Sequence, residues 1–378
     1  MKPYLKRAWA EVSLGKLKNN IKFIKSLNSN KTEIMAVVKA DAYGHGYERI
    51  CQCLAKECGI NFFAVSNLDE AISVREFCPD AEILILGYTP PEYAHEISQY
   101  NIIQGIVSTE YAKNLCEKND QQIRCHIKID TGMGRLGLKH DSPQSCAEEI
   151  AALCSMDGLS VEGIYTHFAV ADSDSADNIK YTDNQEQFIV DTYDILLNMN
   201  INLHHLHFMN SAATCYRNSF KSTLSRVGII VYGLHPDIGL DIPDGIEPIM
   251  ELKAVISQVK EVNKGDCISY GRTFIADQKM RIATVTIGYA DGYSRLLSSK
   301  GEILVHGKRC KIIGRVCMDQ LVIDVTSVSK ARAGDIVTLI GKDGDEIITA
   351  DELASLYGTI GYEVVCGISK RVPRIYIN

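Results

Sequence analysis

Ile34-Met35-Ala36-Val37-Val38 is an unbroken apolar run that ends on Lys39 and continues into Ala40-Asp41-Ala42-Tyr43-Gly44-His45-Gly46. A run this short, rich in β-branched side chains, is the pattern of a strand buried on both faces of a parallel sheet. Tyr47–Cys58 follows with the spacing of an amphipathic helix, and a second apolar run, Phe62–Val65, comes directly after it. Strand, helix, strand in this order calls for a crossover connection in a parallel sheet.

The unit repeats in both directions along the chain. Further strands are predicted at Ile83–Leu86, Ile102–Val107, Ile123–Ile129, Val161–Tyr165 and Leu203–Phe208, with a weaker one at Leu224–Val227. Helices are predicted at Leu14–Leu27 behind an N-cap at Ser13, and at Asp69–Phe77, Ser145–Met156 and Asn184–Asn198. About eight such units are the content of an α/β fold of the (β/α)8 TIM-like barrel type. An open doubly wound sheet is the alternative.

Beyond about residue 240 the texture changes. Val255–Val262, Arg281–Ile287, Lys311–Val316, Leu321–Val325 and Ile336–Ile340 are β-rich and punctuated by Gly-Asp turns, with one short helix at Ala350–Tyr357. The expected organisation is a barrel over residues 1–240 followed by a mostly β C-terminal domain over 241–378.

Polar residues mark one end of the expected barrel. Lys39, Arg135, His167, Ser211 and Arg226 with Gly228 each fall where a predicted strand stops, the end at which barrel active sites are assembled. A lysine closing an apolar strand is partly desolvated, which lowers its pKa and suits it to Schiff-base chemistry. Taken alone, it also fits a snorkelling lysine.

Composition narrows the function. The 378 residues carry a net charge of -7, with basic residues scattered, so neither nucleic acid nor an anionic membrane is expected as a partner. The 13 cysteines, irregularly spaced and without a C-x-x-C pair, suit the reducing cytoplasm, and the N-terminus has no secretory pattern. His204, His205 and His207 have no carboxylate or cysteine at ligand spacing, so no metal is expected there. Gly132-Met133-Gly134-Arg135-Leu136-Gly137 satisfies a dinucleotide fingerprint in letters. It opens no helix directly, as that fingerprint must.

Ala36-Val37-Val38-Lys39-Ala40-Asp41-Ala42-Tyr43-Gly44-His45-Gly46 resembles the cofactor-lysine motif of the alanine racemases, fold-type III pyridoxal phosphate enzymes. Collinear segments extend the resemblance: Ile129–Gly137, Tyr165–Ala169, Asn210–Ala213, Arg226–Ile229, Ile268–Gly271, Gly288–Tyr293, Gly314–Gln320, Thr359–Val364 and Ser369–Arg374. It therefore covers nearly the whole chain, from Lys39 to Arg374.

This resemblance implies an isomerase that interconverts L- and D-alanine with pyridoxal 5'-phosphate, supplying D-alanine for bacterial peptidoglycan. Lys39 would hold the cofactor and serve as the base on one face of the α-carbon, with Tyr270 the base on the other. Tyr43, Ser211 and Tyr362 hydroxyls and the Gly228 and Ile229 N–H groups would grip the phosphate. Arg226 would face the pyridine nitrogen, buttressed by His167. Because an arginine only donates, it would leave that nitrogen unprotonated.

Arg135 and the Met318 N–H would bind the substrate carboxylate, with Asp319 nearby. Lys128 matches a lysine often carbamylated in the family. Tyr289 and Tyr362 would narrow the entrance. The resemblance also implies a head-to-tail homodimer with shared active sites. Gly361 stands where some relatives have Asn. A serine or broader-specificity racemase, a decarboxylase using Cys317, and a non-catalytic pyridoxal phosphate carrier remain alternatives. The carrier would lack the second domain.

Overall fold

The computed structural model describes residues 6–28, 32–217, 221–236 and 242–378. The expected division between residues 240 and 241 falls outside them.

Eight parallel strands form the barrel: Glu33–Val37, Phe62–Val65, Glu82–Ile85, Ile103–Ile106, Ile123–Lys128, Leu159–Tyr165, His205–His207 and Leu224–Val227. Each of the first seven pairs with the next as far as His205–His207, and Leu224–Val227 pairs with the first through Glu33 opposite Leu224. The remaining seam is closed by Thr223 N–H on Leu206 O at 2.8 Å and Arg226 N–H on Met209 O at 2.9 Å. Every residue of Phe62–Val65 and Leu224–Val227 is buried, as a strand covered on both faces requires.

Side-chain caps set where the helices start. Ser13 accepts from Lys16 N–H, Asn67 from Glu70 N–H, Ser108 from Tyr111 N–H and Ser142 from Ser145 N–H. Each such cap is worth about 1 kcal/mol. Leu14–Leu27 forms as predicted, burying Leu14, Leu17, Ile21 and Ile24, whereas the predicted Asn184–Asn198 begins earlier, at Ala176.

The second unit is built on a nine-stranded sheet centred on Met250–Val262. Its strand Ala8–Ser13 comes from the other end of the chain, antiparallel to Met250–Val262 and parallel to Arg374–Ile377. The first strand thus lies inside the span expected of the barrel but pairs in the other sheet. The predicted strand Lys311–Val316 is replaced by Lys308–Lys311. Gly314 interrupts it at φ +71, outside extended geometry, and a single bridge joins Ile312 to Ile323.

The barrel interior departs from the usual filling of branched aliphatics. Gln104, His126, Lys128, His207 and Arg226 are all buried. These polar side chains lead to the strand ends where the site lies.

Candidate active site

Lys39 enters the site on an unusual piece of backbone. Ala40, Asp41, Ala42 and Tyr43 all have φ between +52 and +56, a turn of left-handed helix made without glycine. Left-handed geometry costs L-residues about 1–2 kcal/mol each, so the turn stores on the order of 4–8 kcal/mol. Neighbouring groups hold it. Ala40 N–H donates to Glu70 Oε1 at 2.8 Å, and the other oxygen of that carboxylate accepts from Ser66. Tyr47 N–H donates to Asp41 Oδ1 at 2.9 Å, Arg374 Nε to Gly44 O at 2.8 Å, and Tyr376 Oη to His45 O at 3.1 Å. The last two tie the turn to the second sheet.

The turn delivers Lys39 and Tyr43 to a cavity of about 390 Å³ at the strand ends, within the size range of cofactor sites. Burial lowers the Lys39 pKa, Arg135 lowers it further, and Glu70 and Cys366 oppose the shift.

One corner of the cavity is a cradle for an anion. Gly228 N–H donates to Ser211 Oγ at 2.9 Å, beside the short helix Ser211–Tyr216 capped by Asn210. A Cβ at Gly228 would stand 2.5 Å from Tyr43 Oη, so glycine is required for the tyrosine hydroxyl to approach. The Tyr43 ring lies 4.9 Å from that of Tyr232 and 6.0 Å from that of Tyr362. Ile229 opens a single 3-10 turn, Ile229–Tyr232.

Arg226 occupies the middle of the floor, fully buried, with its pKa pushed down to about 10 by burial. Its Nη1 donates to His207 Nδ1 and His207 O, both at 2.9 Å, and its Nη2 donates to Thr166 O at 2.6 Å. The expected buttress is therefore corrected: the imidazole bonded to Arg226 is His207, on the adjacent strand, not His167. Because arginine can only donate, His207 Nδ1 accepts, and its Nε2–H donates to His126 Nδ1 at 2.8 Å. His167 instead lines the cavity. Its pKa lies well below the ordinary value through burial, reinforced by Arg226, Lys128, Arg135 and Lys39.

Lys128 is buried beside the same floor, and burial, then Arg226 and Arg135, push its pKa down to about 7. Lys128 and Arg226 both sit over the Tyr165 ring, 5.0 and 5.5 Å from its centroid, while His207 stacks on that ring at 4.9 Å. Lys39, Lys128, Arg135 and Arg226 all line the cavity, against the single carboxylate of Asp172. Such a cavity attracts anions.

Ser211, Gly228, Ile229 and Tyr362 line the cavity, as do Lys39, Tyr43, Lys128, Arg135, His167 and Arg226. Tyr270, Tyr289 and Met318 do not. They stand on the second unit, exposed by 69%, 41% and 53%, and Asp319 is ion-paired there with Arg371 at 2.8 Å. Glu70 and the left-handed turn escaped the sequence reading, because Glu70 looks like any acid in a helix's first turn. Among the described residues no cluster of three or more His, Cys, Asp or Glu could hold a metal ion.

Two family models match the chain: alanine racemase, N-terminal domain, over residues 12–236, and alanine racemase, C-terminal domain, over residues 249–376. An alanine racemase of Desulforamulus reducens is 41% identical over 376 residues, covering 98% of this chain and 99% of that protein. One of Methanococcus maripaludis is 40% identical over 375 residues, covering 98% of each. The structure of alanine racemase from Bacillus anthracis with bound L-Ala-P superposes with a TM-score of 0.92 at 37% identity, covering 100% of this chain and 96% of that one. That from E. faecalis superposes at 0.89 and 32% identity, covering 98% of each.

Proposed function

The chain belongs to the alanine racemase family, and from that premise we propose how its own residues interconvert L- and D-alanine. It is an amino-acid racemase that uses pyridoxal 5'-phosphate, and we assign its D-alanine to bacterial peptidoglycan.

The residues present fit that cofactor. The Gly228 corner, which a Cβ would fill, offers Tyr43 and Ser211 hydroxyls to a phosphate. Across the cavity stand a desolvated amine, Lys39, and a donor-only side chain, Arg226. This convergence in one cavity is the observation that carries the assignment.

When bound, the cofactor supplies an electron sink that acidifies the α-hydrogen of an amino acid joined to it. Lys39 would hold it, and its amine would carry the α-proton on one face of the substrate. Its depressed pKa leaves more of the amine free to accept that proton near neutrality. Arg226 would donate to the ring nitrogen without giving up its proton, which would keep the sink weak and favour simple reprotonation. His207 and Thr166 O fix its orientation. Arg135 faces the same cavity and receives the substrate carboxylate.

Tyr270 carries the proton on the opposite face, Met318 N–H completes the carboxylate site with Asp319 beside it, and Tyr289 with Tyr362 narrows the entrance. Because Tyr270, Tyr289 and Met318 are exposed and outside this chain's cavity, we assign them to the cavity of a second copy in a head-to-tail homodimer. We place the division between the two units near residue 240, with Ala8–Ser13 joining the second sheet. No helix among the described residues is long and apolar enough to cross a membrane, and we assign the protein to the cytoplasm.

Lys128 is the proposed site of carbamylation. A buried amine with a pKa of about 7 is substantially neutral at neutral pH, and its nitrogen can add carbon dioxide with release of one proton. The resulting anion has Arg226 and Arg135 as its charged neighbours, replacing a buried neutral amine with a paired negative charge.

The test is a substrate panel of alanine, serine and larger amino acids with chiral product analysis. Alanine is expected to be racemised fastest. Serine or a basic amino acid turning over faster would overturn the substrate assignment.

A further inference from the structure

We propose that His45 is a positioning residue that locks the left-handed turn, and through it sets where Lys39 and Tyr43 stand in the cavity. This inference rests on reading that cavity as the pyridoxal phosphate site.

His45 is completely buried and does not itself line the cavity, although it bonds the backbone of Tyr43, which does. Its Nδ1 lies 3.0 Å from Ala42 O and 2.9 Å from Tyr43 O. Carbonyls only accept, so Nδ1 carries the proton and donates to both. These carbonyls belong to the last two non-glycine residues of the left-handed turn. Relaxation of the turn toward right-handed geometry would swing both carbonyls off the donor.

The other face of the ring argues the same role. His45 stacks on Tyr232 at 4.6 Å, and Tyr232 in turn packs on Tyr43 at 4.9 Å. Tyr232 Oη donates to Val37 O at 3.0 Å, two residues before Lys39. His45 therefore braces the turn through its carbonyls and Tyr43 through a shared neighbour.

His45 Nε2 is buried and has no hydrogen-bond partner among the described residues, and the residue lines a separate, largely apolar cavity of about 40 Å³ with Leu234, Met250 and Ile340. A leucine would fill this place without burying a bare nitrogen. What histidine adds is the Nδ1 donor. Burial also holds the imidazole neutral, with its pKa lowered to about 4, so the donor and the bare nitrogen persist through the physiological range.

The experiment compares the holoprotein with His45→Leu and His45→Asn. The asparagine Nδ2 sits as many bonds from Cβ as Nδ1 and restores the donor without the ring. Binding of pyridoxal phosphate and of pyridoxal, which lacks the phosphate, is measured for each by equilibrium dialysis. His45→Leu should weaken pyridoxal phosphate by about tenfold or more, and pyridoxal by less, while His45→Asn stays within about twofold of the parent.

A folded His45→Leu with parental affinity for both compounds would overturn the proposal, as would an Asn variant no better than Leu. If the parent itself bound no pyridoxal phosphate, the functional reading would fail instead. The tautomer offers a check that does not depend on a leucine variant folding. A nitrogen-15 spectrum of the parent, assigned against His45→Asn, should show a neutral Nδ1–H imidazole, and an Nε2–H form would overturn the proposal.

Discussion

Gly228→Ala is the sharpest probe of the phosphate corner. The added methyl would stand 2.5 Å from Tyr43 Oη and 3.1 Å from its Cζ, whereas ordinary carbon contacts begin near 3.5 Å. Tyr43 must therefore retreat by about 1 Å. It has little room, being 7% exposed and packed against Tyr232 and Tyr362. Overpacking of this kind costs about 1–3 kcal/mol, which corresponds to roughly 5- to 150-fold in an equilibrium.

Titration of cofactor-free protein with pyridoxal phosphate, followed by its visible absorbance, should show that loss of affinity. The double variant Gly228→Ala/Tyr43→Phe removes the atom that the methyl strikes. Its cost should accordingly be smaller than the sum of the single costs. Unchanged affinity in Gly228→Ala, or simple additivity in the double variant, would refute the reasoning.

Other consequences are equally open to measurement. Lys39→Ala and Tyr270→Phe chains, each inactive alone, should recover roughly a quarter of parental activity when refolded together in equal amounts, because half the dimers then carry one intact site. No recovery would place both groups in the same subunit. Intact mass spectrometry in bicarbonate should show one added carbon dioxide that is absent from Lys128→Ala, and identical masses would remove the carbamate. In carbon-dioxide-free buffer, Lys128 is protonated in the unfolded chain and neutral in the folded one between about pH 7 and 10.5. Stability should therefore rise with pH across that window in the parent and rise less in Lys128→Met, as measured by urea unfolding. Arg135→Lys should raise the KM for alanine about tenfold through loss of a forked donor pair, with cofactor affinity unchanged. An unchanged KM would remove Arg135 from the carboxylate site.

The barrel was legible because its strands are buried on both faces and read as uninterrupted apolar runs. Phe62–Val65 and Leu224–Val227 fall where the sequence puts them. Ala8–Ser13 was not legible. Its nearest partner in sequence is Met250, opposite Val12, and no local pattern encodes pairing at such separation. The cavity residues were placed by strand ends and motif together, which is why Lys39, Arg135 and Arg226 meet in one cavity. His167 was given the partner that belongs to His207, because adjacent strands, not adjacent motif residues, decide which imidazole reaches Arg226. The left-handed turn lay beyond reach because Ala40-Asp41-Ala42-Tyr43 has no glycine to announce it. The conformation is imposed by Glu70, Arg374 and Tyr376 from elsewhere in the chain.

The central claim is that Lys39 and Tyr270 move the α-proton of alanine on opposite faces. The most direct test follows L-alanine and D-alanine separately in deuterated water, with the loaded enzyme and chiral mass analysis of both isomers. The account predicts that each isomer yields its antipode carrying deuterium at the α-carbon, and that Lys39→Ala abolishes the conversion. It also predicts that Tyr270→Phe suppresses α-exchange from L-alanine far more than cofactor binding. Undiminished exchange from L-alanine in folded, loaded Tyr270→Phe would contradict the two-base account.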